Sequence, residues 1–235
     1  MKRAGVATVT GIGAAAAISA PALTAVGPVR RRLTPRLAGT GSSHHIALTF
    51  DDGPDPSSTP QFLDLLAQHN RRATFFVLAA QAIAVPGLVR RMVDEGHEVA
   101  IHGWSHRSTL AIRPTHLARQ LEDAKHAVEA ITGSAASWYR PPYGILSLEA
   151  LWVCRSLELT PVLWTAWGRD WERSATPSRI TSTVLRTLKP GGTILLHDTD
   201  LHARGHWHGT YHATADLLSG PLRSSVVGPL REHWR

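Results

Sequence analysis

Five short stretches of this sequence carry residues able to do chemistry together. Asp51 and Asp52 stand side by side in Thr49-Phe50-Asp51-Asp52-Gly53-Pro54. Adjacent carboxylates at the end of an apolar run raise the pKa of at least one of them unless a cation compensates. Gly53-Pro54 make a tight turn that fixes both side chains. An acidic turn in solvent is the bland alternative, and the flanking apolar run argues against it. His102 and His106 lie four apart in His102-Gly103-Trp104-Ser105-His106. With Asp52 they complete a two-His, one-carboxylate set that leaves positions open for water. Zn²⁺ suits such a set, with Co²⁺, Ni²⁺ and Mn²⁺ as alternatives.

Three further stretches supply the remaining roles. In Arg140-Pro141-Pro142-Tyr143-Gly144, Arg140 can pair with a carboxylate, and the two prolines can aim the Tyr143 N–H at an oxyanion. Trp167-Gly168-Arg169-Asp170-Trp171 and Leu195-Leu196-His197-Asp198 place a histidine and carboxylates within reach of acid catalysis. Trp164, Trp167 and Trp171 suit either a sugar-stacking wall or core packing.

These residues need a scaffold that brings distant positions to one place. Strand-like runs are expected at 45–50, 73–79, 98–102, 138–140, 161–165, 193–197 and 225–228. Helical spacing is expected between them, at 59–69, 88–95, 115–132, 148–157, 178–188 and 211–218, with N-caps at Thr115 and Ser178. Such alternation predicts an α/β fold on a parallel sheet, open or closed into a barrel. Parallel α/β folds gather their chemistry at the C-terminal ends of the strands. The polar residues named above sit at five such ends.

Composition narrows the function classes. Of 235 residues, 43% are hydrophobic and 18% charged, which is globular. The single cysteine, Cys154, excludes an internal disulfide and a cysteine-built zinc site. Six of the seven net positive charges come from the first 50 residues, which hold six Lys or Arg and no acid, leaving 19 basic against 18 acidic residues beyond. A body so close to neutral has no nucleic-acid footprint, so no nucleic-acid partner is expected. Lys2 and Arg3 precede a charge-free stretch, residues 4–29, with Ala20-Pro21-Ala22 as a small-x-small cleavage site. Residues 1–29 are expected to be a signal peptide or membrane anchor, residues 30–43 a linker, and residues 44–235 one catalytic domain. Location is then secreted or anchored at the cell envelope, with membrane association through residues 4–29.

The ordered set TFDDGP, HxxxH, RPPYG, DW and LLHD resembles the polysaccharide deacetylase family, also called the NodB homology domain or carbohydrate esterase family 4, over roughly residues 45–230. That resemblance implies a distorted (β/α)7 barrel. It implies a hydrolase that removes acetyl groups from an N-acetylated glycan such as peptidoglycan or a chitin-like polymer. By motif position, Asp51 is implied as base, His197 as acid, Arg140 and Asp170 as their partners. Asp52, His102 and His106 are implied as metal ligands. Tyr143 is implied as oxyanion donor and Leu195 as lining of the acetyl pocket, with Trp171 at the substrate. Two departures stand out: Gly103 occupies a position usually held by Ser or Thr, and Trp167 one that often carries Asp. An O-acetyl esterase and a non-catalytic carbohydrate-binding envelope protein are the alternatives. His202, His206, His208 and His212 form a further cluster that the family does not call for, open to reading as a second metal site, a rim of the first, or a solvated loop.

Overall fold

The computed structural model describes residues 26–234; the expected leader falls outside them up to residue 25. Eight strands form one sheet: β1 (His45–Asp51), β2 (Thr74–Leu78), β3 (Glu98–Gly103), β4 (Trp138–Tyr139), β5 (Thr160–Pro161), β6 (Ala166–Trp167), β7 (Thr193–His197) and β8 (Val226–Gly228). Their order is β5-β4-β3-β2-β1-β7-β6, with β8 beside the start of β1. Every pairing is parallel. Helices α1 (Gly27–Leu33), α2 (Thr59–Gln68), α3 (Ala79–Ala84), α4 (Pro86–Asp94), α5 (Pro114–Thr132), α6 (Leu148–Ser156), α7 (Pro177–Thr187) and α8 (Trp207–Ser219) complete the description. The sheet curls into the distorted (β/α)7 barrel expected. No helix among the described residues is long and apolar enough to cross a membrane.

Side-chain alternation on β1 divides the core into two layers. Leu48 and Phe50 point outward and pack with Phe62, Leu63 and Phe75 beneath the helices. Ala47 points inward with Phe76, Ala100 and Val162. The inner face of β1 therefore runs Ala47, Thr49, Asp51, small then polar, toward the C-terminal end. β2 is buried along its whole length, as its unbroken apolar run predicts. Register sets the end of β1 level with its neighbours: Asp51 stands opposite Phe76 on β2 and His197 on β7.

The single strand expected at 161–165 is instead two short ones, β5 and β6, joined by irregular backbone. The carbonyls of Val162 and Leu163 accept from the Arg140 guanidinium at 3.2 and 2.9 Å. The Leu163 N–H donates to Leu37 O at 2.7 Å. Groups that a ladder would use are thus engaged elsewhere, and the barrel stays open between β5 and β6.

Residues 36–42, within the expected linker at 30–43, occupy that opening and pack on the barrel. Thr193 Oγ1 donates to Gly39 O at 2.6 Å, Trp234 Nε1 to Thr40 O at 3.1 Å, and Arg30 Nη2 to Trp164 O at 2.8 Å. Ala38 is fully buried. The two expected N-caps also shift, because each helix starts at a proline. Pro114 and Pro177 take the first helical position, where a missing N–H costs nothing. The caps are Arg113 and Thr176, and the Thr176 hydroxyl accepts from Arg179 N. Similarly, Pro86 separates α3 from α4.

His97 reports on the integrity of this core. Its Nδ1 accepts from Ala73 N at 3.1 Å, so the buried ring is neutral. Burial, aided by Arg231, Arg72 and Arg91, lowers His97 from 6.5 to about 4. The unfolded chain therefore takes up a proton below pH 6.5 that the folded chain refuses until about pH 4. The stability is complete above the first value and is lost as pH falls toward the second. Thermal melts of metal-free protein should show Tm falling across that window. His97→Gln, less stable at pH 7, should show a shallower fall.

Candidate active site

A cavity of about 210 Å³ opens at the C-terminal ends of the strands, lined by Asp51, Asp52, His102, His106, Tyr143, Gly144, Trp164, Trp167, Trp171, Leu195, His197 and His202. Eight of the ten residues singled out from sequence line it. Arg140 and Asp170, the other two, lie immediately behind it.

Asp51 ends β1 on its inward face and is 3% exposed. One of its oxygens, Oδ1, accepts from Arg140 Nη1 at 2.7 Å. Arg140 is fully buried, and its Nη1 also donates to Thr49 Oγ1 at 2.8 Å. Its guanidinium lies 4.0 Å over the Phe76 ring. Burial lowers the Arg140 pKa, and Asp51 opposes that shift. The second oxygen of Asp51, Oδ2, faces the cavity side, 4.0 Å from His102 Nε2.

Asp52 begins the turn after β1 in a left-handed conformation, φ 78°, which points its carboxylate across the barrel mouth. Gly53 follows with no room for a side chain: a Cβ there would lie 2.5 Å from Asp198 Oδ2. The Nε2 atoms of His102 and His106 stand 3.1 and 3.4 Å from Asp52 Oδ1.

His102 Nδ1 lies 2.7 Å from Arg140 O. A carbonyl only accepts, so Nδ1 carries a proton and Nε2 is the atom turned toward Asp52. Asp52 Oδ1 is buried and lacks a hydrogen-bond partner. A cation held between Nε2 and Oδ1 would satisfy both atoms. Burial, opposed by Asp52 and reinforced by His102 and His202, holds His106 down to about 4, so that ring is neutral, as a ligand must be. Asp52, His102 and His106 bring one donor atom each within 4.8 Å of one another. The residues present thus fit a divalent metal.

His197 ends β7 on the other side. Its backbone N–H donates to Asp170 Oδ2 at 2.7 Å, and its Nδ1–H to Asp170 Oδ1 at 3.0 Å. Thr210 Oγ1 donates to the same carboxylate at 3.1 Å. Burial works against protonation of His197, but Asp170 outweighs it and raises the ring to about 10. Nε2 is left pointing inward, 4.0 Å from Asp52 Oδ2. The indoles of Trp164, Trp167 and Trp171 form a continuous wall ending against His197, with successive ring distances of 5.9, 5.2 and 5.6 Å.

Sequence reasoning passed over Asp198. Adjacent to His197, it points away from it and accepts from Thr59 Oγ1. Burial pushes it up to about 7. Thr199 Oγ1 donates to Asp55 Oδ2 at 2.9 Å, making a second tie between the loops after β1 and β7. The aspartates in both motifs were the available signal, but which loop they tie is a tertiary fact. The four C-terminal histidines divide. His202 borders the cavity, His208 stacks on Trp207, and His206 is 86% exposed beside Asp200. Among the described residues they form no second metal cluster.

The Arg140–Asp51 pair generates a stability prediction. Arg140→Leu leaves Asp51 buried without a counter-charge and should cost about 3–5 kcal/mol in urea unfolding of chelator-treated protein. Adding Asp51→Asn should recover part of that loss. A second substitution that only added to the first would show that the pair is not energetically coupled.

Comparison with known proteins places this geometry. The sequence profile of the polysaccharide deacetylase family matches residues 38–162, a span that holds Asp51, Asp52, His102, His106, Arg140 and Tyr143 and stops before Asp170 and His197. A chitooligosaccharide deacetylase of Sinorhizobium fredii is 42% identical over 168 residues, 71% of this chain and 77% of that one. The peptidoglycan-N-acetylglucosamine deacetylase PgdA of Listeria monocytogenes is 37% identical over 81% of this chain and 38% of its own length. The crystal structure of the peptidoglycan N-acetylglucosamine deacetylase Bc1960 superposes with a TM-score of 0.74 at 31% identity, covering 83% of this chain and 89% of that one. A profile over more than half the chain, together with a relative matched over most of its own length, makes this chain a member of the polysaccharide deacetylase family.

Proposed function

We propose that this protein is a divalent-metal-dependent hydrolase that removes N-acetyl groups from an N-acetylglucosamine-containing glycan, a chitin-like oligosaccharide or peptidoglycan. One observation carries the reading: three neutral or anionic donors converge on one buried point, between a carboxylate paired with Arg140 and an imidazolium paired with Asp170. Asp52, His102 and His106 would hold the metal, most simply Zn²⁺. When bound, it supplies Lewis acidity toward a water and the acetamide carbonyl.

The chain's own residues do the proton work. Arg140 occupies Asp51 Oδ1 and leaves Oδ2 to take the proton from water as it attacks the carbonyl carbon. The Tyr143 N–H, presented by a backbone at φ 60° behind two prolines, meets the developing oxyanion. Asp170 holds Nδ1 of His197, so the proton on Nε2 goes to the departing nitrogen as the C–N bond breaks. Acetate and a free amino sugar result. Leu195, 3% exposed at the cavity floor, suits the acetyl methyl. Trp171 and its neighbours offer flat apolar faces to a sugar ring. Activity at or outside the cell envelope, by way of residues 1–29, accords with such substrates.

The test is acetate release from N-acetylglucosamine oligomers and from peptidoglycan by chelator-stripped protein, with and without Zn²⁺ or Co²⁺. Release should depend on metal. Asp51→Asn should lower kcat by about 10²–10⁴-fold while metal still binds. Release from acetylated xylan alone would move the assignment to an ester substrate. Glycan binding by metal-loaded protein without turnover would move it to a binding protein.

A further inference from the structure

Of the three candidate ligands, His106 has the weakest support from hydrogen bonds. His102 sits within β3 and is locked by its bond to Arg140 O. Asp52 is locked by the turn at Gly53. His106 lies beyond the strand, in a loop that leaves β3 at Gly103 with φ 112°, a conformation that strains any other residue. The loop backbone is held at Trp104, whose carbonyl accepts from Ala80 N at 3.1 Å. The ring of His106 has no carbonyl or carboxylate behind it among the hydrogen bonds described. Rings surround it instead. Tyr143 meets it edge-on at 4.4 Å, and His202 lies flat against it at 4.6 Å and 13°.

The backbone leading to His202, itself an exposed residue, is anchored. Leu201 N donates to Thr199 Oγ1 at 3.2 Å, and that hydroxyl donates to Asp55 in the loop after β1. A path therefore runs from the loop after β1, through Thr199 and Leu201, to the adjacent His202 and its ring contact with His106. The nitrogens of His202 stand outside the group of donor atoms that converge.

We propose that His202 is a positioning residue: its ring, stacked on His106, fixes that imidazole in the orientation that completes the metal site. The inference rests on the metal reading above. It makes the stacked ring the substitute for the hydrogen-bonded partner that orients most metal-bound histidines.

The test compares wild type, His202→Ala, His202→Phe and His206→Ala, each confirmed as folded by circular dichroism of the metal-free protein. Zn²⁺ affinity is read by competition with a chromophoric chelator, and geometry by the visible absorption of the Co²⁺ form. His202→Ala should bind Zn²⁺ roughly tenfold more weakly with an altered Co²⁺ spectrum. His202→Phe, which keeps the flat ring and loses the nitrogens, should restore both. His206→Ala should match wild type. Wild-type affinity and spectrum in His202→Ala would overturn the proposal alone. So would His202→Phe behaving like His202→Ala, because a nitrogen and not the stack would then be at work. Equal weakening in His206→Ala would overturn it in favour of general chelation by the histidine-rich segment. Failure of the wild type to bind metal would overturn the metal reading and this proposal together.

Discussion

A guanidinium inside a barrel needs a counter-charge and partners for its N–H groups. Arg140 finds a partner for each of its three nitrogens on two sides of the lumen: Thr49 and Asp51 from β1, and the carbonyls of Val162 and Leu163 from the crossing between β5 and β6. Its own backbone takes part as well. Arg140 N donates to Ile101 O on β3, and Arg140 O receives the proton of His102. One residue thereby engages Asp51 and His102 and holds open the seam of the sheet. Removing its pairing with Asp51 would leave a buried charge unpaired.

Two ion pairs of opposite sense frame the site. In one, the buried cation Arg140 pairs with Asp51; in the other, Asp170 pairs with His197. In the proposed reaction these inner groups are the base and the acid, held apart within a small volume. Between them lie Asp52, His102 and His106, whose donor atoms converge on one point.

What the sequence made legible was local. Apolar runs marked the long strands, and Asp51-Asp52 and His102–His106 stood out because such residues rarely follow buried strands without a task. What it hid was long-range. The residues 161–165 read as one strand, since nothing nearby shows that Arg140 takes two of their carbonyls. Asp198 read as a neighbour of His197, yet its partner Thr59 is 139 residues away. Prolines moved the helix starts because a cap depends on which residue must supply an acceptor. His202 was visible only as one of four histidines, and its stacking on His106 depends on how the loop after β7 folds over the mouth.

The same reasoning relocates the edge of the folded unit. Residues 30–43 look like linker because they are rich in Arg, Pro, Gly and Ser, yet their backbone completes the seam. Leu37 O accepts from Leu163 N, while Leu163 O accepts from Arg140, which holds Asp51. Four residues in series thus link the N-terminal segment to Asp51. At the far end, Ser42 N donates to His233 O, and the His233 ring lies 2.9 Å from both Gly39 O and His45 Nδ1. The segment is therefore clasped by the C-terminus as well as by the seam. A barrel beginning at residue 44 would leave Leu163 N without its partner and Thr193 Oγ1 with only His233 Nε2, at 3.3 Å.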